Sequence, residues 1–174
     1  DGSGANDWIG YHDFSVNPKQ ENPELGFVLT ANNDPQNDTT NLFPGYYVPK
    51  DRYVRLRNLL FTKSKFNRED LERIAIDVKN PVAADIAKTL VSKLSGVCIV
   101  KTQINERAAM MLKNWDGDHK VTDNAPVIYY KFLYHVMSEA MMDELGEKDF
   151  ELFLKTHVQK IMLANFFNND SSVW

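Results

Sequence analysis

The sequence predicts a mainly α fold, a bundle of about six helices behind a short extended N-terminal arm. Three observations predict it. After Pro49, apolar residues recur at three- and four-residue spacing through most of the chain. Helix punctuation falls between those runs in a consistent order: Asn67, Asn80-Pro81, Gly96, Gly117, Pro126 and Gly146. No strands alternate with the helical stretches, which argues against a doubly wound sheet.

The chain divides at the change of character. Residues 1–48 read as an extended arm rich in Asn, Asp, Pro and Gly, with one strand at Gly26–Ala31 and a turn-rich linker after it. Residues 49–174 read as a helical domain. Its first helix opens near Pro49, with Tyr53, Leu56, Leu59 and Leu60 on one face. Asn67 caps a second helix that places acidic residues in its first turn and Leu71, Ile74, Ala75 and Val78 on its apolar face. Asn80-Pro81 starts a third, stopped at Gly96. A fourth, "INERAAMMLKNWDG", closes at Gly117. Pro126 opens a long fifth helix to Gly146, and a sixth runs from about Lys148 to Asn165 with Phe150, Phe153, Leu154, Val158, Ile161 and Met162 on one face.

Bulk properties narrow the function classes. A net charge of -4 argues against nucleic acid, because phosphate binding needs a concentrated basic surface. No run is long enough to span a membrane. The one cysteine, Cys98, sits in "GVCIV" as a small apolar residue and forbids an internal disulfide. Both ends, "DGSGAND" and "SSVW", read as internal, which predicts a piece of a longer protein.

Most polar candidates read as structural. His12, His119, His135 and His157 form no metal-ligand pair at helical spacing. Tyr134-His135 and Thr156-His157 fall within predicted helices as packing or surface residues. Asp116-Gly117-Asp118 lacks the rest of a calcium loop and reads as a helix end. Ser171-Ser172 has no base nearby and reads as loop. The exception is "TANND". An asparagine amide can donate to a developing oxyanion, one donor contributing roughly 3 to 4 kcal/mol to a transition state. The same residues also suit an Asx-turn that ends the strand. Spacing alone favours the turn.

Several segments, in order, resemble the penicillin acylase family of N-terminal nucleophile hydrolases. Trp8-Ile9-Gly10 resembles its W-x-G. "NPELGFVLTANN" resembles its N-P-x-x-G-[FY]-[IV]-x-x-x-N-[ND] signature, the specific one of the set. "DRYVRLRNLL" resembles the Asp-Arg segment that opens the helical region. "IAIDVKNPVAADI", "AMMLKNWDG" and the terminal "SSVW" resemble later segments, so the likeness spans essentially the whole chain. The resemblance implies an internal piece of the β-chain. The intact protein would add a four-layer αββα core to which residues 1–48 contribute. It would hydrolyse linear acyl amides, penicillins and N-acyl homoserine lactones among the open choices. It implies Asn32 as an oxyanion donor, Arg52 as active-site support, and Asn33, Asp77, Trp115, Asp116 and Gly117 as structural positions.

Two departures go with it. The family's nucleophile is a Ser freed at a chain N-terminus by self-cleavage, with its own α-amine of pKa ~8 as base. That Ser lies outside this chain, so the fragment alone is expected to be inactive. Some members bind calcium through an Asp before Leu-Phe. Here Asn41 precedes Leu42-Phe43, a neutral and weaker ligand. No cofactor is required, and a structural calcium stays open for the intact protein. The expected partners are the α-chain, the rest of the β-chain and a small acyl-amide substrate, in a periplasmic or secreted protein. A non-catalytic helical interaction domain and a degenerate family member are the rival readings.

Overall fold

Punctuation residues set where the helices begin. The computed structural model describes residues 2–5, 7–35, 43, 45, 47–97, 102–158 and 162–163. Among the described residues five α-helices follow in chain order: α1 (Asp51–Leu60), α2 (Arg68–Ala75), α3 (Pro81–Val97), α4 (Gln103–Asn114) and α5 (Ala125–Leu154). Asn67 caps α2 through a complete capping box: its side chain accepts from the Asp70 N–H while Asp70 accepts from the Asn67 N–H. Thr102 caps α4 in the same sense. Proline stands in the first turn of both α3 and α5, where its missing N–H costs nothing.

The core lies where α3, α4 and α5 meet. From α3 come Ala83, Ile86, Ala87 and Leu90, and from α4 and its end Leu112 and Trp115. α5 offers Ala125, Tyr129, Leu133, Met137 and Met141, every fourth residue, so one stripe of the long helix faces inward. α1 packs on α3 at the edge of this core.

The mainly helical class holds, with differences in detail. The predicted break between the fifth and sixth helices is present within α5: two helical stretches meet at Gly146, whose backbone is not helical (φ 72°, ψ 161°). Glycine permits that left-handed step without the Cβ penalty. The helix then stops at Leu154, so Thr156 and His157 lie in a turn rather than a helix. No strand occurs among the described residues. Residues 27–30 carry no regular structure between bends at Gly26 and Ala31, yet burial alternates along them: Phe27, Leu29 and Ala31 turn inward while Val28 and Thr30 are exposed. They have the period of a strand without a partner ladder among the described residues, and a ladder is what defines a strand. The predicted apolar face of α2 is not buried: Leu71 and Val78 are exposed, and only Ile74 is half-covered. That helix is held by its capping box and by the Lys63–Asp70 ion pair instead. α3 also continues one residue beyond Gly96. Among the described residues no helix is long and apolar enough to cross a membrane.

Candidate active site

The end of this alternating segment meets the start of α1. Asn32 takes a left-handed backbone conformation (φ 58°), which asparagine tolerates better than most residues and which bends the chain sharply after Ala31. The bend is fixed from both sides. The Asn33 side-chain oxygen accepts from the Ala31 N–H at 3.1 Å, and the Asn33 amide donates to the Asp34 carbonyl at 3.0 Å. The Val48 N–H donates to the Asn32 carbonyl at 3.0 Å, closing the loop back onto the segment that leads into α1.

Arg52 then reaches across. Its Nη2 donates to Asn32 Oδ1 at 2.6 Å and to the Ala31 carbonyl at 3.4 Å. A guanidinium has donors only, so the amide must present its oxygen to Arg52. The Asn32 Nδ2 is thereby turned the other way. Among the described residues it meets no acceptor, and the Asn32 side chain is open to solvent. The two asparagine side chains differ in their partners: Asn33 bonds the local backbone at the bend, while Asn32 is held by a cation twenty residues away. Such an arrangement presents an N–H donor, polarised by a cation on its carbonyl oxygen, at a fixed point on the surface.

α1 itself is anchored at three places. The Phe27 ring packs edge-on against Phe61, just past the end of α1, at 5.5 Å between centroids. Arg55 grips Asp77 with two bonds, Nε to Oδ1 at 2.9 Å and Nη2 to Oδ2 at 2.6 Å. This pair, four-fifths buried on the carboxylate side, holds Asp77 below the usual carboxylate range and raises Arg55 further. Lastly, the Asp51 carboxylate accepts from the Asn80 amide at 3.0 Å. Sequence reasoning passed over Arg55, Asp51 and the tertiary role of Asn80, whose partners lie 22 to 29 residues away.

The Trp115-Asp116-Gly117 unit forms the turn after α4. Trp115 is buried against Tyr129, and its indole N–H donates to the Asp118 carbonyl at 2.7 Å. Asp116 accepts from the Asp118 N–H at 3.2 Å and pairs with Lys79, which holds its pKa below the usual range. Gly117 (φ 88°) presses against the Asn80 carbonyl so closely that a Cβ there would stand 2.1 Å from that oxygen. His119, half-buried, bridges the Gly117 carbonyl (2.8 Å) and the Tyr130 hydroxyl (3.0 Å). His12, His135 and His157 are exposed. Asn41, Cys98 and Ser171-Ser172 lie outside the described residues. Among the described residues no three of His, Cys, Asp and Glu come together to hold a metal ion.

A cavity of about 610 Å³ lies beside this junction, between α1, α3 and α5. Val54, Ile86 and Leu133 give it apolar walls, and Asp51, Asn80 and Tyr129 give it a polar edge. Burial raises the Tyr129 hydroxyl far above the ordinary tyrosine value, so it stays protonated.

The family model for penicillin amidase matches residues 1–174. The chain belongs to the penicillin amidase family. Penicillin G acylase of Escherichia coli is 28% identical over 132 residues, 71% of this chain and 15% of the relative's length. The chain therefore spans well under a fifth of the curated relative that it matches. No solved structure matches it.

Proposed function

We propose that this chain supplies the oxyanion side of a penicillin acylase-type amidase, whose nucleophilic Ser lies outside it. The observation that carries the reading is the 2.6 Å bond from Arg52 to Asn32 Oδ1, which leaves Nδ2 outward and without an acceptor among the described residues. In the proposed reaction the Ser Oγ bonds to the carbonyl carbon of a linear acyl amide, and the Ser α-amine accepts the hydroxyl proton. Charge gathers on the carbonyl oxygen. Asn32 Nδ2 and a backbone N–H hold it there, at a position set before the reaction begins. The C–N bond then breaks, the amine leaves with the proton, and water releases the acyl group from the Ser ester. No cofactor enters this scheme.

Arg52 is a positioning residue in this account. It fixes which end of the Asn32 amide faces outward and draws electrons toward Oδ1, which strengthens the Nδ2–H as a donor. Asn33 holds the bend. Asp77, Trp115, Asp116 and Gly117 hold the frame. With this activity goes the expectation of an exported protein assembled from an α-chain and a longer β-chain.

The experiment is the intact mass of the purified full-length protein. Two chains, the later one beginning at Ser, are expected. A single uncut chain that persists for days would count against an N-terminal nucleophile and in favour of a helical domain without catalysis.

A further inference from the structure

Asn80 stands at the crossing of four contacts, made by four different groups. Its side-chain oxygen accepts from the Ala83 N–H at 3.2 Å and caps α3. Its backbone N–H donates to the Gly117 carbonyl at 2.8 Å. Its own carbonyl lies against the Gly117 Cα, where no side chain fits. Its side-chain Nδ2 donates to Asp51 Oδ2 at 3.0 Å. The amide orientation is forced, because a backbone N–H only donates and a carboxylate only accepts.

Asp51 is the first residue of α1, and Arg52 is the second. The Asn80–Asp51 bond therefore fixes the first turn of α1 to the turn after α4, whose Trp115 is buried in the core. The other tether of α1 to the α2–α3 segment, Arg55–Asp77, lies one turn further along. No side chain caps the N-terminus of α1.

We propose that Asn80 is a positioning residue for the oxyanion site, acting through Asp51 to hold the first turn of α1 where Arg52 meets Asn32. The proposal rests on the Asn32–Arg52 reading above. A shift of about 1 Å in a catalytic donor can cost up to about 100-fold in rate. Among the described residues Arg52 is the cation that holds the Asn32 amide, so a loosened first turn reaches it directly.

The test uses the full-length processed protein and a chromogenic acyl p-nitroanilide that it cleaves. Asn80→Asp keeps the oxygen that caps α3 but replaces the donor with a second carboxylate facing Asp51. The expected result is kcat lowered about 10-fold or more with KM nearly unchanged, since the transition state and not the ground state loses its hold. The double variant Asn80→Asp/Asp51→Asn restores a donor–acceptor pair with the direction reversed. It is expected to recover kcat to within about threefold of the parent, a departure from additivity that coupled residues show and independent ones do not. An unchanged kcat in Asn80→Asp overturns the proposal. So does a loss that the second substitution fails to recover, which would assign Asn80 to folding alone. Asn32→Ala in the same assay separates the two readings. Full activity there defeats the oxyanion assignment itself, whereas an inactive Asn32→Ala beside a fully active Asn80→Asp defeats only the role given to Asn80.

Discussion

The arm and the helical body are built on different physics. In the arm, Trp8, Ile9, Tyr11 and Phe14 stand almost fully exposed, and the Trp8 and Tyr11 rings stack loosely on each other at 6.5 Å. In the body, Ala87, Tyr129, Met141 and Phe150 are sealed from solvent at a junction of three helices. The candidate chemistry nevertheless sits on the arm, at Asn32. On the proposed reading, the arm carries the donor while the body aims it. Its position is passed down a short chain of contacts: Gly117 to Asn80, Asn80 to Asp51, Arg52 to Asn32. Large exposed apolar side chains along the arm are what a segment shows when its covering surface belongs to other parts of the protein.

The comparison can be broken first at Gly117. Gly117→Ala puts a methyl into the Asn80 carbonyl and forces a left-handed backbone on alanine, and should cost about 3 kcal/mol or more. Chemical denaturation of the full-length protein measures it, and an unshifted midpoint would mean that the turn is not clamped. Arg52→Met keeps the apolar stem and removes the charge. It should lower kcat about 10- to 100-fold, the worth of one charged hydrogen bond, while leaving the unfolding midpoint almost in place. If the midpoint falls and kcat holds, Arg52 serves the frame rather than the site.

Asp77→Asn comes next, at about 1–2 kcal/mol. Its pH dependence has a definite sign. Arg55 lowers the folded-state pKa of Asp77 below its unfolded value, so the stabilisation is present above about pH 4 and is lost as pH falls through the folded value. Melting curves between pH 7 and pH 2 should therefore show a shallower acid limb in Asp77→Asn than in the parent. Arg68→Ala removes an exposed i,i+4 pair with Glu72 and should cost only about 0.3 kcal/mol. A larger loss there would mean that α2, whose apolar face is uncovered, depends on surface charge more than its capping box suggests.

Much of the body was legible in the sequence because its signals are local. Asn67 announced the α2 cap, Pro81 and Pro126 the starts of α3 and α5, and Gly146 the break between the two helical stretches of α5. Each acts within one turn of itself. What depends on distant partners was not legible. Phe27 to Ala31 has the alternation of a strand, yet a ladder needs a second strand, which no local pattern supplies. Leu71 and Val78 have helical spacing, yet spacing does not say whether a neighbour will cover them. At the site, the motif pointed to Asn32 and Arg52 separately. That Arg52 grips the oxygen of Asn32, and that Asn33 takes the turn-making bond, depended on a contact across twenty residues. Asn80 read as a helix start because that half of its side chain acts locally, while its other half acts 29 residues away.

The central claim is that Asn32 Nδ2 meets the oxyanion. The measurement that tests it most directly is kcat for Asn32→Ala in the full-length processed protein, beside its unfolding midpoint. The account predicts a fall of about 100-fold or more in kcat, with the midpoint within about 1 kcal/mol of the parent. Turnover within a few-fold of the parent would contradict it and leave Asn32 as a residue of the bend.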